Sequence, residues 1–146
     1  MKSQFFITPT IETVIKESVD IINVGRPMNC YDIEDIRAIA KEADNIILLE
    51  GHAKGSYRVS DAIEDAIIKI CDVAKEFDFF SANKIFVHLC CGENHPISVS
   101  EVSELEQLAG MFMEDIVFMW GLSIDDNTID DTVIVKIIAA NLKLKQ

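Results

Sequence analysis

The sequence predicts an α/β (α+β) layer fold, with a mixed sheet of about four strands packed by helices. Three observations predict it. Four segments space their apolar residues at helical intervals, and four others are short apolar or β-branched runs. Their order is helix, helix, strand, helix, strand, helix, strand, strand, the pattern of a sheet with helical cover. The chain has 146 residues, the length of one domain. A domain of this size buries roughly two-thirds of its unfolded surface, enough for its own core.

The first helix follows Thr8-Pro9-Thr10, with Ile11, Val14, Ile15, Val19 and Ile22 on one side and Thr10 as N-cap. Gly25-Arg26-Pro27 breaks it. A second helix starts near Asp32 and turns Ile33, Ile36, Ile39 and Ala40 inward. Asn45-Ile46-Ile47-Leu48-Leu49 is a short continuous apolar run ended by Gly51, hence a buried strand. The third helix runs from Ser60-Asp61 to about Phe77 on a broad face of Ala62, Ile63, Ala66, Ile67, Ile70, Cys71 and Ala74. Lys84 to Cys90 is a β-branched and aromatic strand. Ser98-Val99-Ser100-Glu101 has the form of a capping box and opens a helix to about Met113. Ile116 to Ile124 and Thr132 to Ala140 are the last two strands, separated by a turn beginning Asp125-Asp126-Asn127-Thr128.

Asp and Glu number 25 against 13 Lys and Arg, a net charge of −12. Such a chain repels nucleic acid and anionic lipid, so neither nucleic-acid nor direct membrane binding is expected. No apolar run approaches the roughly 18–20 residues that span a bilayer. The start, Met1 to Ile7, is too short in apolar residues for a secretory signal, so a cytoplasmic protein is expected. Cys30, Cys71, Cys90 and Cys91 are then expected as thiols, since adjacent cysteines such as Cys90 and Cys91 rarely pair.

Several motifs stand in a fixed order. Asp32-Ile33-Glu34-Asp35 precedes the first strand. Gly51-His52-Ala53-Lys54-Gly55 and Arg58 follow it without a gap. Cys91-Gly92 comes later, and Trp120-Gly121-Leu122-Ser123-Ile124-Asp125 later still. Together these resemble the C-terminal half of FtsZ, the tubulin-like GTPase of bacterial cell division, from about Ile11 to Leu142. The resemblance departs in detail: Asn29 stands three residues before Asp32 rather than two, and Leu49-Glu50 replaces a Gly-x pair. It implies residues 1–10 as an N-terminal extension, 11–30 as a remnant of the central helix and its loop, 31–142 as a C-terminal-domain-like module, and 143–146 as a short tail. No glycine-rich phosphate loop occurs among these 146 residues. The resemblance therefore implies a non-GTPase module with no cofactor of its own, GTP being held only on a partner subunit. Its partner would be FtsZ, another tubulin-like protein, or a second copy of itself.

In that family the acidic loop enters the next subunit's nucleotide pocket and positions the attacking water. This makes Asn29, Asp32 and Asp35 the interaction loop, with Asp32 and Asp35 candidates for stimulating hydrolysis in trans. The plain alternative is that Asp32 caps the second helix and Asp35 favours its positive end. Gly51, Ala53, Gly55, Arg58, Gly121 and Asp125 read as structural turn residues, with Arg58 bonded to a local carboxylate or carbonyl. His88 and Cys90 share a strand face and are weak metal candidates. Cys91 points the other way, His95 lies on the following loop, and no second ligand pair is evident. The central helix has an outer face with one neighbour missing, so Phe5-Phe6-Ile7 or a second chain is expected to cover it. The reading from a different class is a repurposed domain that self-assembles or binds a small molecule outside cell division.

Overall fold

The computed structural model describes residues 3–18, 26–27 and 33–146. Its strands are β1 (Gln4–Ile7), β2 (Arg26–Pro27), β3 (Asn45–Ala53), β4 (Phe77–Asp78), β5 (Lys84–Cys91), β6 (Val117–Ile124), β7 (Val133–Ala140) and β8 (Lys143–Leu144). Its helices are α1 (Ile11–Glu17), α2 (Ile33–Ala40), α3 (Arg58–Ile68), α4 (Ile70–Val73), α5 (Val99–Val102) and α6 (Glu104–Ala109). The main sheet has the order β1-β3-β7-β5-β6-β2, and β4 and β8 form a separate antiparallel pair. Among the described residues, the four long strands are the four that the sequence predicts.

β3, β7 and β5 run antiparallel in succession, while β5 and β6 are parallel and joined through α5 and α6. A parallel pair cannot close through a tight turn, and this crossover supplies the necessary length. β6 and β7, consecutive in the chain, are therefore not a hairpin, because β5 lies between them.

Both faces of the central strands are covered. One face packs Ile47, Leu49, Val87, Val135 and Ile137 against Val59, Ala62, Ala66, Leu105 and Leu108. The other packs Ile46, Leu48, Phe86 and Ile138 against Val14, Ile36 and Ile39. Two-sided burial explains why β3, β5 and β7 read as continuous apolar runs rather than alternating ones.

Several predicted boundaries shift. β3 does not stop at Gly51 but runs on to Ala53, because β7 pairs with it as far as Ala53↔Val133. Gly51 and Ala53 are thus strand residues rather than turn residues. Gly121 is likewise inside β6, opposite His88. The helix expected to reach Phe77 tightens at Lys69, whose N–H bonds back three residues to Ala66 O. Phe77 instead pairs with Leu144, so the expected tail is part of a strand pair. The helix from Ser98 is divided at Ser103, whose hydroxyl bonds the Ser100 carbonyl. Serine in mid-helix competes with the backbone in this way.

At the other end of the chain, Phe5-Phe6-Ile7 forms an edge strand along β3, with Phe5↔Ile47 and Phe6↔Ile46 in register. Phe6 packs from this edge against the cluster containing Val14, so the extension widens the sheet. Thr10 caps α1 as predicted, its hydroxyl accepting from Thr13 N at 3.2 Å. At the foot of the sheet, Asn45 exchanges two 2.8 Å hydrogen bonds with the backbone of Leu142, tying the start of β3 to the end of β7.

Candidate functional site

Three groups of residues carry the polar chemistry. The first is the acidic segment leading into α2. Asp35 sits in the first turn of α2 beside Glu34, and Arg37 pairs with Glu34 at 3.4 Å. Carboxylates in a first turn are favoured by the unsatisfied N–H groups there. Asn29 and Asp32 lie outside the described residues.

The second group is the corner where β3 meets α3. Gly51 allows the strand and helix backbones to approach: a Cβ there would stand 2.2 Å from Ala62 O and 2.4 Å from Ala66 N. Gly55 supplies the turn, with a φ of +100° that only glycine adopts without strain. Arg58 then opens α3 with its guanidinium buried. Its Nε and Nη2 donate to the two carboxylate oxygens of Glu101 at 2.6 and 3.0 Å. Nη1 donates to Asp131 O at 3.0 Å, and Nη2 also to Pro96 O at 2.9 Å. One side chain thus ties α3 to α5 and to two loops. The hydrogen bond from Arg58 holds the Glu101 carboxyl below its ordinary pKa, and Glu101 in turn raises that of Arg58.

Glu101 also completes the predicted capping box: Ser98 Oγ accepts from Glu101 N at 3.2 Å, and Glu101 Oε1 accepts from Ser98 N at 3.0 Å. The sequence shows the box but not that its carboxylate is shared with Arg58, 43 residues earlier. Asp125 stands directly after β6 and organises a turn, accepting from Asn127 N at 3.0 Å and Thr128 Oγ1 at 2.8 Å.

The third group is a polar strip across the face of the sheet that also carries α1 and α2. Glu50, Lys136, His88 and Gly121 are in register on four strands. One step along lie His52, Ile134, Cys90 and Ser123. His88 Nε2 and Ser123 Oγ are 2.9 Å apart, and Ser123 Oγ lies 3.5 Å from Cys90 Sγ. Lys136 Nζ is 3.8 Å from Glu50 Oε1, and His52 Nε2 is 3.5 Å from Glu50 Oε2.

The His88–Cys90 pair is therefore engaged with Ser123. Among the described residues no three His, Cys, Asp or Glu side chains converge as a metal site. Burial raises the pKa of both the Cys90 and Cys91 thiols, the opposite of what a reactive cysteine needs. His95 is found away from this strip, on the rim of a shallow depression with Arg58 and Ser98. Lys136 was the signal that sequence reasoning passed over: a lone lysine in the run Val133-Ile134-Val135-Lys136-Ile137-Ile138 requires a partner once that strand is buried.

Burial, and secondarily the charge of Lys136, pushes His88 down to about 4 from an ordinary 6.5. An unfolded chain therefore binds a proton at His88 between these values while the folded chain does not. The resulting stability is full above about pH 6.5 and is lost as pH falls toward about 4. A shift of this size corresponds to about 3 kcal/mol. Urea unfolding across this range should show the loss in the native chain and a flatter profile in His88→Gln. Equal slopes for the two would remove His88 from the account.

No family model and no curated protein matches the chain. Solved structures do. An empty FtsZ dimer from M. jannaschii is similar at a TM-score of 0.70 and 18% identity, over 92% of this chain and 40% of that one. This is the fold of an FtsZ C-terminal domain. GDP-form TubZ protofilaments from Bacillus thuringiensis serovar israelensis share the fold at 0.59 and 16% identity, over 84% of this chain and 33% of theirs. A GTPγS-form TubZ protofilament from the same organism does so at 0.60 and 17%, over 91% of this chain and 34% of the other. The FtsZ-like chain thus spans between 33% and 40% of the length of these relatives. No helix among its described residues is long and apolar enough to cross a membrane.

Proposed function

We propose that this FtsZ-like domain acts by contact, docking on or capping a tubulin-like filament. The observation that carries this reading is the shared fold with FtsZ and TubZ, whose solved forms are a dimer and protofilaments. The docking surface is the acidic sequence segment from Asp32 to Asp35, of which Glu34 and Asp35 stand in the first turn of α2. In the family resemblance this segment faces the nucleotide side of the next subunit. Asp35 stands in the first turn of α2, and Ile36 and Ile39 anchor that helix on the sheet with no exposed surface. The reading asks the chain for a surface and not for a phosphate cradle. Its partner is FtsZ, another tubulin-like protein or a further copy of the same chain, and a role in cell division belongs to the proposal.

The test is turnover of GTP and sedimentation of a polymerising FtsZ, with and without the chain, beside an Asp32→Ala/Asp35→Ala variant. Docking predicts that the native chain shortens or depletes the polymer, or changes turnover, and that the double variant does neither. If the native chain leaves both measurements unchanged, docking on that filament is wrong. Sedimentation of the chain alone, lost in the double variant, would point to self-assembly through the same segment.

A further inference from the structure

On the face of the sheet opposite α1 and α2, an open groove of about 390 Å³ runs between α3 and α6. Ile63, Ile67, Leu108, Phe80 and Met111 make it apolar, while Glu64 and Glu104 stand in its walls. Two features distinguish it from an ordinary seam between helices. Met111, in its wall, is 59% exposed. In addition, Glu104 Oε2 is buried and has no hydrogen-bond partner among the described residues. A carboxylate oxygen removed from water without a donor is unfavourable, and a cationic donor entering the groove would relieve it.

We propose that this groove binds an amphipathic helix from a partner protein. Its apolar side chains at i, i+4 and i+7 fill the space over Ile63, Ile67 and Met111, and a lysine or arginine of the helix pairs with Glu104. The dimensions suit this occupant. From Ser60 to Ile67 the α3 wall is about 10 Å long, two helical turns, which accommodates anchors at that spacing. The charge also selects the partner, since two glutamates favour a basic helix and repel an acidic one. This surface is on the other face of the sheet from α2, which carries Asp35, so the proposal stands independently of filament docking.

The experiment is selection of a displayed library of helical peptides, about 16 residues long, on the full chain. Apolar residues are fixed at i, i+4 and i+7 and the remaining positions are varied. The expected result is enrichment of peptides with Lys or Arg at a constant offset from the anchors. Binding of an enriched peptide should weaken roughly tenfold or more in Glu104→Gln, as for loss of a charge-assisted hydrogen bond. It should weaken similarly in Met111→Glu, and hydrogen exchange should protect α3 and α6. Unchanged thermal unfolding of both variants separates loss of binding from loss of fold.

Failure of enrichment overturns the proposal, as does enrichment without a basic position. So does binding that survives both substitutions or protects another face. Concentration-dependent self-association abolished by Met111→Glu would also overturn it, by assigning the groove to a second copy of the chain.

Discussion

A Gly51→Ala chain is expected to lose about 3 kcal/mol or more of stability, the upper end of what overpacking costs. The added methyl would lie 2.2 Å from Ala62 O and 2.4 Å from Ala66 N. Both are backbone atoms of α3, so no side chain can swing aside. The helix must move off the sheet, and it carries Val59, Ala62 and Ala66, all fully buried. Urea unfolding followed by far-UV circular dichroism measures the loss. Gly55→Ala is the informative comparison, because no atom of the described residues lies within 4 Å of a Cβ there and the φ of +100° opposes it. That change should cost about 1–2 kcal/mol, the left-handed penalty alone. Equal effects at the two sites would refute the close-approach account of Gly51.

The second large effect is expected at Arg58. Arg58→Met leaves Glu101 without its main counter-ion in a place where its side chain is only 19% exposed, and strips donors from Asp131 O and Pro96 O. Breaking one side of such a pair costs about 3–5 kcal/mol. The double variant Arg58→Met/Glu101→Gln should recover part of this, because no unpaired carboxylate remains.

The pH dependence of Arg58→Met is a separate readout. Glu101 has its folded pKa depressed below the ordinary 4.5, first by its hydrogen bond to Arg58. Its contribution is present above pH 4.5 and is lost as pH falls through the lower folded value. The native chain should therefore lose stability below pH 4.5 more steeply than Arg58→Met. Parallel acid limbs would mean that the pair is not coupled in solution.

These two sites also mark how far the sequence could be read. Gly51, Gly55 and Arg58 were recognisable as a motif, and their structural character followed from what glycine permits and where arginine sits on a helix. What divides their roles was hidden. Gly51 and Gly55 are alike as letters, yet one serves contact with a helix 11 to 15 residues later and the other serves a backbone angle. Glu101 was legible as the N3 residue of a capping box, a local pattern spanning four positions. Its pairing with Arg58 was not, because no local rule links positions 58 and 101. The polar strip was missed for a similar reason. Glu50, His88, Ser123 and Lys136 come from four strands, and only their register makes them neighbours.

By itself the sequence determined the existence and kind of the main elements: the apolar faces of α1, α2 and α3, the four long strands, the Thr10 cap and the Ser98 box. These depend on periodicity and on hydrogen bonds within a turn or two, which the order of residues dictates directly. Only the tertiary structure decided that β5 separates β6 from β7, that residues 4–7 widen the sheet and that 143–144 pair with 77–78. It alone opened the groove at Glu104. Strand order and side-chain partnership are set by which surfaces exclude water together, and that is a property of distant segments packed in space.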